Sequence, residues 1–254
     1  MMIDMTRQYI MTRALPLFIL LTGISVPACA DIFDSPQNLD VLPTDISPAA
    51  LRDTMRSFAT DTGSRCYTCH VGEDEHDLRT YDFSLDDKEK KQKAREMVLM
   101  VKTINERLDD IFQNSPDKRL TVNCATCHHG QARPETIQAV LARAYREAGM
   151  EKAIEEYRSL RERHYGGYTF DFSERALMIL AEEMAAIDDS VAALGFLDLN
   201  LQFYPQSSNS YVLQGQIFAA VGNVSAARTS LMKALEIDPD NPWTQQLLSG
   251  LTTE

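Results

Sequence analysis

The chain has 254 residues, 37 acidic against 25 basic, and a formal net charge of −12. An acidic surface of this kind argues against nucleic acid and anionic membranes, and for basic partners or plain solubility. The length is enough for two small domains.

Residues 1–30 have the pattern of a secretory signal. Arg7 and Arg13 precede an apolar stretch from Ala14 to Val26, Pro27 breaks it, and Ala28-Cys29-Ala30 is a small-x-small cleavage site. The stretch is too short to span a bilayer comfortably. Cleavage after Ala30 leaves residues 31–254 and removes Cys29, so four of the five cysteines remain in an oxidising, periplasmic space. The alternatives are an uncleaved anchor and a lipoprotein acylated at Cys29, for which Pro27 makes a poor lipobox. The acid excess is spread along the rest of the chain, in 31–134 and 135–254 alike.

Residues 31–46, with Pro36 and Pro43, read as an extended lead-in. Ser47-Pro48 predicts a helix start, Leu51, Met55, Phe58 and Ala59 share one face, and Gly63 ends the helix. Cys66-Tyr67-Thr68-Cys69-His70 follows, and Cys124-Ala125-Thr126-Cys127-His128 repeats its pattern. Each is C-x-x-C-H, the attachment signature of a c-type haem. Two thiols add across the porphyrin vinyl groups, and the histidine after the second cysteine supplies the proximal nitrogen to iron. A four-thiolate zinc site or redox disulfides would use the cysteines but leave both histidines unexplained.

A six-coordinate haem needs a second axial ligand, commonly a methionine. Met55, on the helix before the first motif, is the candidate partner of His70, its alternative role being core packing. Residues 71–87 read as an acidic, solvated loop in which His76 is a surface histidine. A second helix is predicted over about 88–112, with Ala94, Met97, Val98, Val101, Ile104, Leu108 and Ile111 as its apolar stripe. Met97 or Met100 is the candidate partner of His128. Gln113–Arg119 reads as a loop into the second motif. His129 cannot cap the same iron as its neighbour and is expected to be exposed or near a propionate.

The stretch from about Val41 to Pro134 resembles one half of the multihaem cytochrome subunit of photosynthetic reaction centres. The residues that carry the resemblance are the Met-bearing helix Leu51–Phe58 leading into Cys66–His70, the run Ala94–Asn105, and Val122–Gly130 around the second motif. The resemblance implies a methionine on the helix before each motif as sixth ligand. The register of Met97 against Asn105 favours Met97 over Met100. That subunit has two such halves and four haems, and one of its haems is capped by a histidine from the other half. This chain has one half and two motifs, so the resemblance supports the haem geometry and not a photosynthetic role.

Residues 135–254 contain no cysteine and repeat. Val191–Pro205 aligns with Ser225–Pro239 at an offset of 34 residues (239 − 205), the tetratricopeptide period. Thr136–Ala148, a turn at Gly149 and Glu151–Arg163 form an earlier, diverged hairpin, followed by an irregular loop over Tyr165–Asp171. About three hairpins are expected, near the minimum for a stacked solenoid; a plain helical bundle supporting the haem domain is the alternative.

The expected fold is all-α: a dihaem cytochrome c domain (31–134) followed by tetratricopeptide-like helical repeats (135–254). The cofactors are two covalent haems c, with Cys66, Cys69, Cys124 and Cys127 as attachment points and Met55, His70, Met97 and His128 as iron ligands. The expected function is electron transfer between redox protein partners, with the repeats as a docking or support module. A haem enzyme such as a peroxidase would need an open sixth site and acid/base groups over the iron; a haem-bearing scaffold or sensor is the third reading.

Overall fold

A computed structural model describes residues 32–114 and 120–251. The predicted signal and Cys29 lie outside the described residues, as does most of the 113–119 loop. The elements, in order, are α1 (Pro48–Thr62), α2 (Cys66–Cys69), β1 (Val71–Gly72), a 3-10 turn (Leu78–Thr80), β2 (Tyr81–Asp82), α3 (Glu89–Phe112), α4 (Cys124–His128), α5 (Ile137–His164), α6 (Glu174–Ala186), α7 (Ser190–Phe203), α8 (Ser208–Ala220), α9 (Val224–Ile237) and α10 (Pro242–Gly250). The fold is all-α apart from one short antiparallel β1–β2 pair.

The local signals act as expected at α1. The Ser47 hydroxyl accepts from the Ala50 amide at 3.2 Å, Pro48 occupies the first turn, and Gly63 closes the helix in the left-handed region at φ 61°. In the 71–87 segment Glu73, Asp74, Glu75 and His76 are exposed, as expected of a solvated loop, but its ends pair. It folds back as the β1–β2 pair, with Tyr81 buried and stacked on Phe83. Its acidic residues mask a pairing that only a two-residue register, Val71 opposite Asp82 and Gly72 opposite Tyr81, makes visible.

The expected stripe of α3 is not its buried face. Within α3 the buried residues are Lys91 and Arg95. Lys91 Nζ donates to the carbonyls of Phe83 (2.9 Å) and Leu85 (2.6 Å) and pairs with Asp86 at 2.9 Å. Arg95 bonds Asp86 at 2.8 Å and the Asn38 carbonyl at 3.1 Å, and its Nε lies 3.5 Å from Asp40. These two cations fasten the lead-in and the β2–α3 connection to one side of the helix. The apolar side faces outward, with Met97, Leu99, Met100, Ile104 and Ile111 between 37% and 60% exposed.

From α5 onward the chain has an ordinary core. Leu141, Tyr157, Leu177, Leu180, Phe196, Leu197 and Leu199 are fully buried in one cluster, and Val212, Leu231 and Ala234 form a second between α8, α9 and α10. The helices α6 and α8 begin 34 residues apart (208 − 174), as do α7 and α9 (224 − 190). The first hairpin is present as a bend in α5, where Ala148 and Gly149 leave helical geometry, Gly149 at φ 81°. The connection after the second motif is no free tether. The Gln131 side chain donates to the Thr169 carbonyl at 3.3 Å, and the His129 ring meets Tyr168 edge-on at 6.3 Å.

Candidate haem sites

Each C-x-x-C-H motif forms a single short helical turn, and a threonine at the same motif position bonds back to the residue before each turn. Thr126 Oγ1 accepts from the Asn123 amide at 3.0 Å, while the Asn123 side chain accepts from the Thr126 amide at 3.1 Å. Thr68 Oγ1 likewise accepts from the Arg65 amide at 3.3 Å. At α4 this capping is reciprocal and satisfies donors that so short a helix would leave orphaned; at α2 it runs one way, and the Thr68 amide goes to the Arg65 carbonyl at 2.9 Å. Thr68 and Thr126 carry one signal in the sequence, their identity at the same motif position.

The turns are pinned to the longer helices. Gly130 donates its amide to the Asp61 carbonyl at 2.9 Å, which joins the reversal after α4 to the end of α1. A Cβ on Gly63 would lie 2.2 Å from the Gly130 carbonyl oxygen, so this approach requires glycine. Lys88 Nζ donates to the Tyr67 carbonyl, joining α2 to the start of α3. Asn105 on α3 bonds Val122 at both ends, accepting from its amide at 2.8 Å and donating to its carbonyl at 2.9 Å. That pair of hydrogen bonds holds the segment entering the second motif against α3.

None of the four described cysteines is in a disulfide; Cys66 and Cys127 are exposed and Cys69 and Cys124 partly covered. Burial raises the thiol pKa of Cys69 and Cys124. Among the described residues no group of three or more His, Cys, Asp and Glu converges as a metal site. The two cysteine pairs instead sit on separate turns, α2 against α3 and α4 against α1.

The two histidines differ in their surroundings. His128 Nδ1 lies 2.7 Å from the Gln131 carbonyl. A carbonyl only accepts, so Nδ1 carries the proton and Nε2 keeps its lone pair for a metal. His70 Nδ1 is buried with no hydrogen-bond partner, and Phe83 packs edge-on at 5.0 Å. Burial, with Lys91, Lys88 and Arg95 nearby, lowers the His70 pKa to about 4, so its ring is neutral at ordinary pH. Met55 is half-buried on α1. Met97 and Met100 are 47% and 48% exposed, one turn apart on α3. His76 is on the surface, 3.4 Å from Glu75, and His129 sits exposed at φ 49° with its Nε2 3.1 Å from the Thr126 carbonyl.

The residues present fit a haem. Between residues 32 and 136, Leu51 and Tyr81 are the buried hydrophobic side chains among those described. Two such side chains cannot offset the entropy of ordering the segment. The apolar face of α3 beside the paired cysteines and the two motif histidines provides the dry cover, the attachment points and the ligand that a covalent porphyrin needs.

A family model described as the photosynthetic reaction centre cytochrome C subunit matches residues 37–163. The chain belongs to this family. No curated protein matches the chain at the threshold of the comparison. As a member of the reaction centre cytochrome family, the protein is a haem-binding electron-transfer cytochrome with covalently attached haem c. The match takes in both motifs, α1, α3 and all but the last residue of α5. It thus runs past residue 134, the end of the expected haem domain, and includes the first bent hairpin.

Proposed function

We propose that the protein is an exported dihaem cytochrome c that carries electrons between protein partners. The observation that carries the reading is the duplicated order of elements: a helix bearing a methionine, then a C-x-x-C-H turn, once as α1–α2 and again as α3–α4. Cys66 and Cys69 bind one haem and Cys124 and Cys127 the other, with His70 and His128 as proximal ligands. Met55 and Met97 supply the opposite ligands to His70 and His128 respectively. The haem iron supplies the one-electron chemistry; the chain supplies ligation, apolar cover and orientation. Partners are read at the contact surface, because electrons pass at the haem edge and no substrate pocket is required. The helical region from α5 onward serves as a docking or support module. Among the described residues no helix is long and apolar enough to cross a membrane.

Intact mass of the exported protein should equal the chain from residue 31 plus two haems. A colourless product that binds zinc would sink the reading. Met55→Ala and Met97→Ala should each turn one haem high-spin or carbon-monoxide-reactive and leave the other unchanged. If Met97→Ala is spectrally silent and Met100→Ala opens a haem, the ligand assignment on α3 moves by one turn.

A further inference from the structure

The reversal after α4 is bound on two sides. Gly130 is tied to α1 through Asp61, and the Gln131 side chain donates to the carbonyl of Thr169 in the loop between α5 and α6. The Tyr168 hydroxyl oxygen stands 3.6 Å from where a Gly130 Cβ would be, and its ring meets His129. The loop itself is fixed to the helical region. Arg161 on α5 donates to the Phe172 carbonyl at 3.3 Å and stacks over Tyr165 at 4.0 Å and Phe203 at 4.6 Å. Tyr204 at the end of α7 donates to the same Phe172 carbonyl. A continuous chain of contacts therefore runs from α5 and α7, through the 165–172 loop and Gln131, to the carbonyl that holds His128 Nδ1.

We propose that Gln131 is a positioning residue through which the helical region sets the orientation and donor strength of His128. The first motif has no counterpart: His70 Nδ1 is buried without a partner. The physical basis is general. A hydrogen bond from the non-ligating nitrogen of an imidazole raises its basicity and fixes its ring plane, and a stronger donor favours ferric iron. Displacing the Gln131 carbonyl weakens that bond and favours ferrous iron. The coupling reaches the haem on Cys124 and Cys127 and not the one on Cys66 and Cys69. A partner that moves the 165–172 loop would thereby shift one haem potential alone.

The inference rests on the two-haem reading, and its test keeps the two separable. Intact mass of the wild-type holoprotein counts the haems without any variant. Gln131→Met keeps the side-chain volume, removes the donor and leaves the backbone carbonyl in place. Redox titration followed optically, with electron paramagnetic resonance of the ferric protein, should show one midpoint potential raised and one low-spin signal altered, the other potential and signal unchanged. Tyr168→Ala, which loosens the same loop from the other side, should move the same haem in the same direction and decides the matter if Gln131→Met fails to mature. Two haems with both potentials and both signals unchanged, even if the melting temperature falls, would overturn the proposal and leave Gln131 as packing only. Equal movement of both haems would overturn it as well.

Discussion

His128 donates to the Gln131 carbonyl at 2.7 Å, whereas His70 is buried with its Nδ1 unpaired and with Lys88, Lys91 and Arg95 close enough to depress its pKa. Both differences act in the same direction on a bound haem. A weaker imidazole donor and nearby positive charge each favour ferrous iron. The haem on Cys66 and Cys69 should therefore have the higher midpoint potential. A redox titration of the holoprotein resolves this, and Lys88→Gln should lower only the upper potential. At this scale the two C-x-x-C-H motifs are legible in the sequence, and each folds as a single short helical turn. Gln131, Asn105, Thr68 and Thr126 were not read from the residues themselves. Gln131 and Asn105 act across 38 and 17 residues of sequence through hydrogen bonds that no local pattern records.

The elements divide by what they pack against. α1 has a capped start and a left-handed glycine end, both readable because capping is local. α3 lies where the periodicity over 88–112 puts it, and its apolar stripe, which carries Met97, is not the side the protein buries. Apolar periodicity reports that a face avoids water, not whether protein or porphyrin covers it, and here the protein core holds to Lys91 and Arg95 on another side. Two element-level predictions follow from the ties. Gly63→Ala meets both a left-handed φ and the Gly130 carbonyl, and should destabilise the haem region by at least about 1 kcal/mol; thermal melts of the holoprotein measure it. Asp86 is bonded by Arg95, then Lys91 and Asn38, which hold its carboxyl well below the usual range. A depressed carboxyl stabilises the fold above the unfolded aspartate value of 3.8 and loses that contribution as pH falls below it. Asp86→Asn should thus be less stable than the native chain at neutral pH, and the gap should narrow as pH is lowered through 4 and beyond in parallel acid-unfolding curves. A constant gap would show that Asp86 acts by shape rather than charge.

Over the whole molecule, apolar burial is distributed unequally. The region from Ile137 onward carries two clusters of buried side chains, and the starts of α6 and α8, and of α7 and α9, fall 34 residues apart. The region before it is organised by a polar knot at Asp86, by glycine approach at Gly63 and by two capped turns, with Leu51 and Tyr81 as its buried hydrophobics among the described residues. Such a region draws its stability from what binds it, since a ligand that binds only the folded form adds its binding free energy to folding. Replacing Cys66, Cys69, Cys124 and Cys127 together by alanine should then separate the two halves. Limited proteolysis should cut within residues 32–134 and spare a fragment from about residue 135 onward, and circular dichroism should keep the helical signal of that fragment while losing that of α1 and α3. The holoprotein under the same conditions should resist cleavage in both regions. If the four-alanine variant resists equally throughout, the polar ties alone hold the first region, and the haems are passengers on a frame that folds without them. If the fragment from residue 135 is also lost, the contacts of Gln131 and His129 with the 165–172 loop make the chain a single cooperative unit.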